Sequence, residues 1–273
     1  MKLLSLGAIT PYGSKISEHC RALIEQRAPR QEDFELSFLG KTRKIVIELT
    51  LDPQVLLPVP DNVLRRMSRS ALMALTCIEE SKEFFKSDTK KVGIIVVTSE
   101  GPAGVSLDYM RKLVRAKYRG ASPTLFAQSV HNNLASTIAM TYGFKGPTLT
   151  FVQDENPLNA SLQIAELWLS EKSVDVVCLV MGNELNAHRP YMQLYAAKEK
   201  TYVIPTAREI TSEAFSCFFI GSDQDFPDKP NFSLKDNLEI IKNRSEALDL
   251  ALLRPEKIGV ALAEHYFQKD FSA

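Results

Sequence analysis

An α/β layered fold is predicted by three features of this 273-residue sequence. Val92–Thr98, Thr148–Val152, Asp175–Gly182 and Glu213–Gly221 are runs rich in β-branched and other apolar residues, hence strands. Most are apolar almost throughout, as strands buried on both faces are. Segments with apolar residues at helical spacing separate them, and such alternation builds a sheet layered with helices. One strand also breaks into a helix with no room for a loop, at residues 153–157.

Taken in order, residues 2–9 alternate and end at Thr10-Pro11-Tyr12-Gly13, a first strand delivered to a loop. Ile16, Cys20, Leu23 and Ile24 mark an amphipathic helix, with His19 on its surface. Residues 28–42 are polar, contain Pro29 and read as loop, and Lys44–Leu51 reads as a strand. Asp61 is placed to cap one helix bearing Leu64, Met67, Ala71, Leu75 and Ile78 on a single face. Arg65, Arg66 and Arg69 fall near its start, where the helix dipole disfavours cations. They are either a solvated surface or a docking point for an acidic partner. Val92–Thr98 is followed by the small-residue loop SEGPAGVS, whose glycines form neither G-x-G-x-x-G nor a phosphate loop. Residues 106–119 then carry Arg111, Lys112, Arg115, Lys117 and Arg119, which spread around a helix as a solvated face would.

The central stretch runs from residue 122 to 184. Val130, Leu134 and Ile138 recur at helical spacing, and Gly143 stops that helix. Gly146-Pro147 leads into the strand Thr148–Val152, and the corner Gln153-Asp154-Glu155 follows. Asn156 can cap the next helix, with Pro157 in its first position and Leu158, Leu162, Ala165 and Leu169 as its apolar stripe. That stripe, with Trp168 beside it, has to be covered by the rest of the chain or by a partner. A strand running straight into a helix N-terminus is a place to mount a nucleophile or hold an anion. Neither Cys nor Ser stands there; the residues are Asp154 and Glu155. Residues 185–212 read as irregular, 222–231 as a linker, 231–241 as a further strand and 244–263 as partly helical.

SP…F at 122–126, Asn132, a small-residue helix ending in Tyr142-Gly143, GPTLT and DVVCLVMGNE together resemble the N-terminal half of β-ketoacyl synthases. LSLGAITPYG resembles that family's first strand and its exit, and EAFSCFFIG its last strand of the half. The resemblance covers residues 1–222 and implies the N-terminal half of a thiolase-like layered fold. The second half is truncated or missing, and residues 223–273 form a short extension of unknown role. In the family, the tenth residue counted from the Gly of the GP pair is the acyl-accepting cysteine; here it is Glu155. No segment of the HGTGT or later GH type supplies the family's histidines. The resemblance is therefore to chain-length factors, the inactive partners in ketosynthase heterodimers, and in length and motif style to those of aryl-polyene clusters. It implies an active ketosynthase partner, an acyl carrier protein as visitor, and a place in fatty-acid or polyketide-type biosynthesis. It further implies that Thr148, Leu149, Thr150 and Phe151 lie on a strand paired across the dimer. Thr124 and Leu125 fall on the family's pocket-facing pair, with Phe126 adjacent, although plain interface packing would equally explain them. Basic residues at the positions of Arg65 and Arg66 contact the carrier protein in the family.

Composition bounds the alternatives. Lys+Arg and Asp+Glu both number 33, so no global field points to nucleic acid or an anionic membrane. Cys20, Cys77, Cys178 and Cys217 show no C-x-x-C pairing and sit in apolar-periodic stretches, as buried thiols of a reducing compartment do. No apolar run reaches the ~20 residues of a membrane span, and the N-terminus lacks a signal-peptide pattern. A soluble cytoplasmic protein is expected. The histidines lack metal-ligand spacing, so neither metal nor cofactor is expected. His131 reads as a packed residue, His188 lies near a pocket mouth and His265 falls in the tail. A carboxylate attacking a thioester gives an anhydride, a poor acyl carrier, so Glu155 reads as a satisfied carboxylate at a helix terminus. The rival reading is a free-standing acyl- or malonyl-thioester decarboxylase or hydrolase using Glu155.

Overall fold

The computed structural model describes residues 1–38, 41–50, 60–81, 91–152, 157–185, 212–233, 235–237, 239–240 and 255–271. Five strands form the main sheet: β1 (Lys2–Ile9), β4 (Val92–Thr98), β5 (Thr148–Val152), β6 (Val176–Asn183) and β7 (Ala214–Gly221). Their order is β1-β7-β6-β4-β5. β4 runs parallel to both β5 and β6, and β7 runs antiparallel to β6 and β1. Every residue of β4, β6 and β7 is buried, which is why these segments read as continuous apolar runs.

Alternate residues along each strand serve opposite faces. Ile95, Val97, Val177, Leu179, Phe218 and Ile220 point to one side, covered by α1 (Ile16–Ile24), α7 (Pro157–Ser170) and α8 (Pro255–Tyr266). Ile94, Val96, Cys178, Val180, Cys217 and Phe219 point to the other, covered by α3 (Arg69–Glu80) and α6 (Asn133–Tyr142). α3 crosses β1 so closely that a Cβ on Gly7 would stand 2.2 Å from the Cys77 carbonyl oxygen. The stripe of α7 is covered within the chain itself: Leu158, Leu162, Ala165 and Leu169 pack with Ile258, Leu262, Ala263 and Tyr266 of α8 and its neighbours. Phe232 and α8 thus supply part of one core layer, with the Phe232 and Tyr266 rings 5.3 Å apart.

Several expectations need correction. Residues 31–38 are not loop but strand β2 (Gln31–Phe38), paired antiparallel with β3 (Lys41–Glu48) in a separate two-stranded sheet. Glu32, Asp33 and Glu35 are exposed, and these acidic residues, with Pro29 before them, obscure the period-two alternation of Phe34, Leu36 and Phe38 in the sequence. The helix expected from residue 61 comes in two pieces, α2 (Asp61–Leu64) and α3. Ser68 starts the second, its Oγ accepting from the Ala71 N–H at 3.2 Å, and Asp61 makes no side-chain cap. Val130 stands outside α6, which starts at Asn133, behind the short α5 (Pro123–Gln128). Residues 235–237 and 239–240 are helical rather than strand, and Asn231 makes only an isolated bridge to Lys2. Gly143 ends α6 at φ +69°, as its position in the sequence predicts.

Candidate functional site

β5 lies at one edge of the main sheet, bonded on one side to β4. The Ile94 N–H donates to the Pro147 carbonyl at 2.9 Å. By the alternation of a parallel ladder, Leu149 and Phe151 then turn their backbone groups toward β4, whereas Thr148, Thr150 and Val152 turn theirs outward. The first four strand residues are half-buried and Val152 is exposed. An open row of N–H and C=O groups on a half-apolar strand is a template for another strand.

α5 and β5 are joined at the start of α6. The Asn132 side chain donates to Thr148 Oγ1 (3.4 Å) and accepts from Thr150 Oγ1 (3.2 Å). The neighbouring Asn133 amide donates to the Ala127 carbonyl (3.2 Å) at the end of α5. α5 itself is set by Ser122, whose Oγ accepts from the Leu125 N–H, and by Pro123 in the first turn. Thr124 and Phe126 are exposed and Leu125 is half-buried, with the Phe126 ring 5.8 Å from that of Tyr109. Val130 and Val152 are also exposed. The start of α6 therefore links the end of α5 to Thr148 and Thr150, which lie on the α6 side of the sheet, whereas Leu149 and Phe151 lie on the α7 side. Arg65 and Arg66 are exposed beside α5, the Arg66 carbonyl accepting from Gln128 Nε2 of α5. Arg69 is not part of that surface.

Arg69 instead turns inward. It forks onto Glu213, which is fully buried, with Nη2–Oε1 at 2.5 Å and Nε–Oε2 at 3.1 Å. Glu213 also accepts from the Thr50 N–H and Oγ1 and from the Leu185 N–H. This carboxylate ties Thr50, just after β3, to α3 and to the residues that follow β6. Glu184, next along β6, accepts from the Ser70 N–H in the first turn of α3 (2.8 Å), and burial pushes its carboxyl up. Asn183 Oδ1 accepts from Thr98 Oγ1 (2.6 Å) and the Ser99 N–H (3.0 Å), fixing the loop after β4. Glu184, Thr98, Ser70 and His131 line a small cleft at the carboxyl ends of β4 and β6.

His19 is not on the surface. It is buried, its Nδ1 2.9 Å from Thr10 Oγ1 and its Nε2 2.5 Å from Glu264 Oε1 of α8. The 245-residue separation of that pair leaves no sequence signal. The Thr10 hydroxyl is itself buried, so the relay is a structural fastening. His131 is exposed rather than packed, and His265 meets Tyr266 edge-on in the last turn of α8.

All four cysteines are buried thiols, none in a disulfide. Burial raises Cys77 and Cys178 and takes Cys217 up to about 12, so these three stay protonated near neutrality. Gln153, Asp154, Glu155, Asn156 and His188, with the rest of 186–211, lie outside the described residues. Among the described residues, no group of three His, Cys, Asp or Glu side chains is placed to hold a metal, and no helix is long and apolar enough to cross a membrane.

The sheet order, the two helical layers and the strand-to-helix passage from β5 toward α7 define a thiolase-like α/β fold. Residues 50–219 match the model of the β-ketoacyl synthase N-terminal domain, and the chain belongs to that family. Solved structures with this fold include the ishigamide ketosynthase/chain length factor (14% identity, TM-score 0.60), of which 97% of this chain covers 79%. A ketosynthase in complex with its chain length factor from Xenorhabdus doucetiae is 15% identical, with 81% and 79% of the two chains covered and a TM-score of 0.51. A type II polyketide ketosynthase bound to its acyl-carrier protein gives 16%, 83% and 63%, and 0.62. At these identities the likeness is one of fold. No curated protein matches the chain.

Proposed function

We propose that this chain is a non-catalytic, chain-length-factor-like subunit that pairs with an active β-ketoacyl synthase. The carrying observation is the open edge of β5, clamped by Asn132 and continuous with the exposed side chains of α5. Strand addition along Thr148–Phe151 would place Thr124, Leu125 and Phe126 against the partner, as one wall of the chamber in which an acyl or polyene chain grows. The family membership and the fold shared with ketosynthase/chain length factor complexes support this reading. So does Glu155, which stands where the family carries its acyl-accepting cysteine. Arg65 and Arg66 contribute to docking the carrier protein, and the four reduced cysteines fit a cytoplasmic setting for aryl-polyene-type synthesis.

Co-expression with an active β-ketoacyl synthase, from a neighbouring open reading frame where one is found or from a related pathway, tests the reading. A stable heterodimer is expected, whose acyl intermediates load onto the synthase cysteine alone. Intact-protein mass spectrometry after exposure to acyl thioesters should show no adduct on this chain, and Glu155→Gln should leave the complex's activity within about threefold. An acyl adduct on Glu155, or turnover by this chain alone, sinks the proposal.

A further inference from the structure

α5 is six residues long and buries none of them, so no core packing fixes its place. Its position rests on side-chain contacts with its neighbours. Toward α4 (Ala103–Arg115), the Phe126 ring meets that of Tyr109 at 5.8 Å. Toward α6, the Asn133 amide donates to the Ala127 carbonyl at 3.2 Å. Toward α3, the Gln128 side-chain amide donates to the Arg66 carbonyl in the turn between α2 and α3. These three contacts point in three directions, like struts.

A cleft lies under the third strut. It separates the start of α3 from the turn between α5 and α6. Buried Val96, Glu184 and Phe215 form its deep end, and half-buried Ser68 and Gln128 stand at its rim with exposed His131. The Gln128–Arg66 bond spans that rim from one side to the other. On its inner side, therefore, the end of α5 is backed by space rather than by packed atoms. A short helix without such backing is held as firmly as its polar struts hold it.

We infer that Gln128 is a positioning residue for the wall of the acyl chamber, its amide propping α5 away from the cleft. The inference rests on the proposed pairing with a synthase, which makes α5 part of that wall. Gln128 itself need not touch the growing chain. It acts by setting how far Thr124 and Leu125 stand toward the partner. Small displacements count there, because a packed chamber accommodates even one extra methylene poorly. Without the strut the end of α5 can settle toward the cleft, the wall retreats, and longer chains fit.

Hydrogen exchange of the full chain alone and product analysis of the assembled complex test the inference separately. Gln128→Met keeps the length of the side chain and removes the donor, whereas Gln128→Lys keeps a donor. The Phe126 and Ser129 amides bond within the α5 turn and report on it. In the chain alone, their exchange should quicken about tenfold in Gln128→Met and stay near that of the unsubstituted chain in Gln128→Lys. Thermal unfolding should be unchanged in both. In the complex, Gln128→Met should raise the share of lengthened products about fivefold at the same heterodimer yield, and Gln128→Lys should not. Exchange indifferent to loss of the donor overturns the inference. So does a complex whose product lengthens with Leu125→Ala but not with Gln128→Met. No heterodimer from the unsubstituted chain is a failure of the pairing itself; the inference falls with it, and altered exchange then shows a strut without a chamber.

Discussion

The two edges of the main sheet are treated differently. β1 is sealed by the chain's own later residues: the Leu3 N–H donates to the Pro230 carbonyl, the Phe232 N–H donates to the Met1 carbonyl, and Asn231 bridges Lys2. Behind that edge stand buried polar anchors, Glu80 accepting from the Ala8 and Ile16 N–H groups and His19 bonded to Glu264. β5 has no such cover among the described residues, and its polar partner, Asn132, is exposed. An exposed strand edge is a hazard that proteins normally block. Residues 230–232 cover one edge, and the other, open among the described residues, is where the proposed partner strand would add. Damage to the sealed side and to its buried anchors should cost stability, and damage to the open side should cost partnership.

The largest effect is expected from Glu213→Ala. It strands the Arg69 guanidinium and removes the acceptor for Thr50 and Leu185, at about 3–5 kcal/mol in urea unfolding. A loss under about 1 kcal/mol would show that the buried anchors do not distinguish the two sides. Next comes Thr150→Pro. It deletes an outward N–H on an edge strand, where proline is tolerated, together with the exposed Thr150 hydroxyl bond to Asn132. Folding stability of the isolated chain should change by about 1 kcal/mol or less, whereas the heterodimer should be lost on size-exclusion chromatography. An intact heterodimer removes β5 from the interface.

Glu80 sharpens the contrast through pH. Burial raises its carboxyl from 4.5 to about 7, against the Ala8 and Ile16 N–H groups, which lower it. The fold therefore holds this proton more tightly than the unfolded chain does. Its contribution is fully present below about pH 4.5 and is lost as pH rises through about 7. Unfolding free energy should fall by about 3 kcal/mol across that window, and Glu80→Gln should flatten the fall. A slope unchanged by the substitution places the titration elsewhere. The smallest effect on the protein itself is expected at Leu125. Leu125→Ala should lengthen the product of the assembled complex and Leu125→Trp should shorten it, with little change in stability at this half-buried site. The same product from both variants means α5 does not line the chamber.

The sequence by itself determined the local structure wherever burial wrote a period into it. β4, β6 and β7 are apolar because both faces are covered, and Gly143 and Pro157 mark a helix end and a helix start by their backbone chemistry alone. The identity of residue 155 and the resemblance of 124–126 and 148–151 to one family pattern are matters of sequence alone. Where polar residues crowd a strand the signal is obscured: β2 carries Phe34, Leu36 and Phe38 in alternation, but Glu32, Asp33 and Glu35 among them make the stretch read as loop. Tertiary structure alone decided the partners of buried polar groups. Arg69 belongs with Glu213, 144 residues away, rather than with Arg65 and Arg66, and His19 belongs with Glu264. Such pairs satisfy charges taken out of water, and nothing in local spacing encodes which distant carboxylate will arrive. The open edge of β5 is likewise a property of sheet order, since it exists only because β6 and β7 add on the far side of β4.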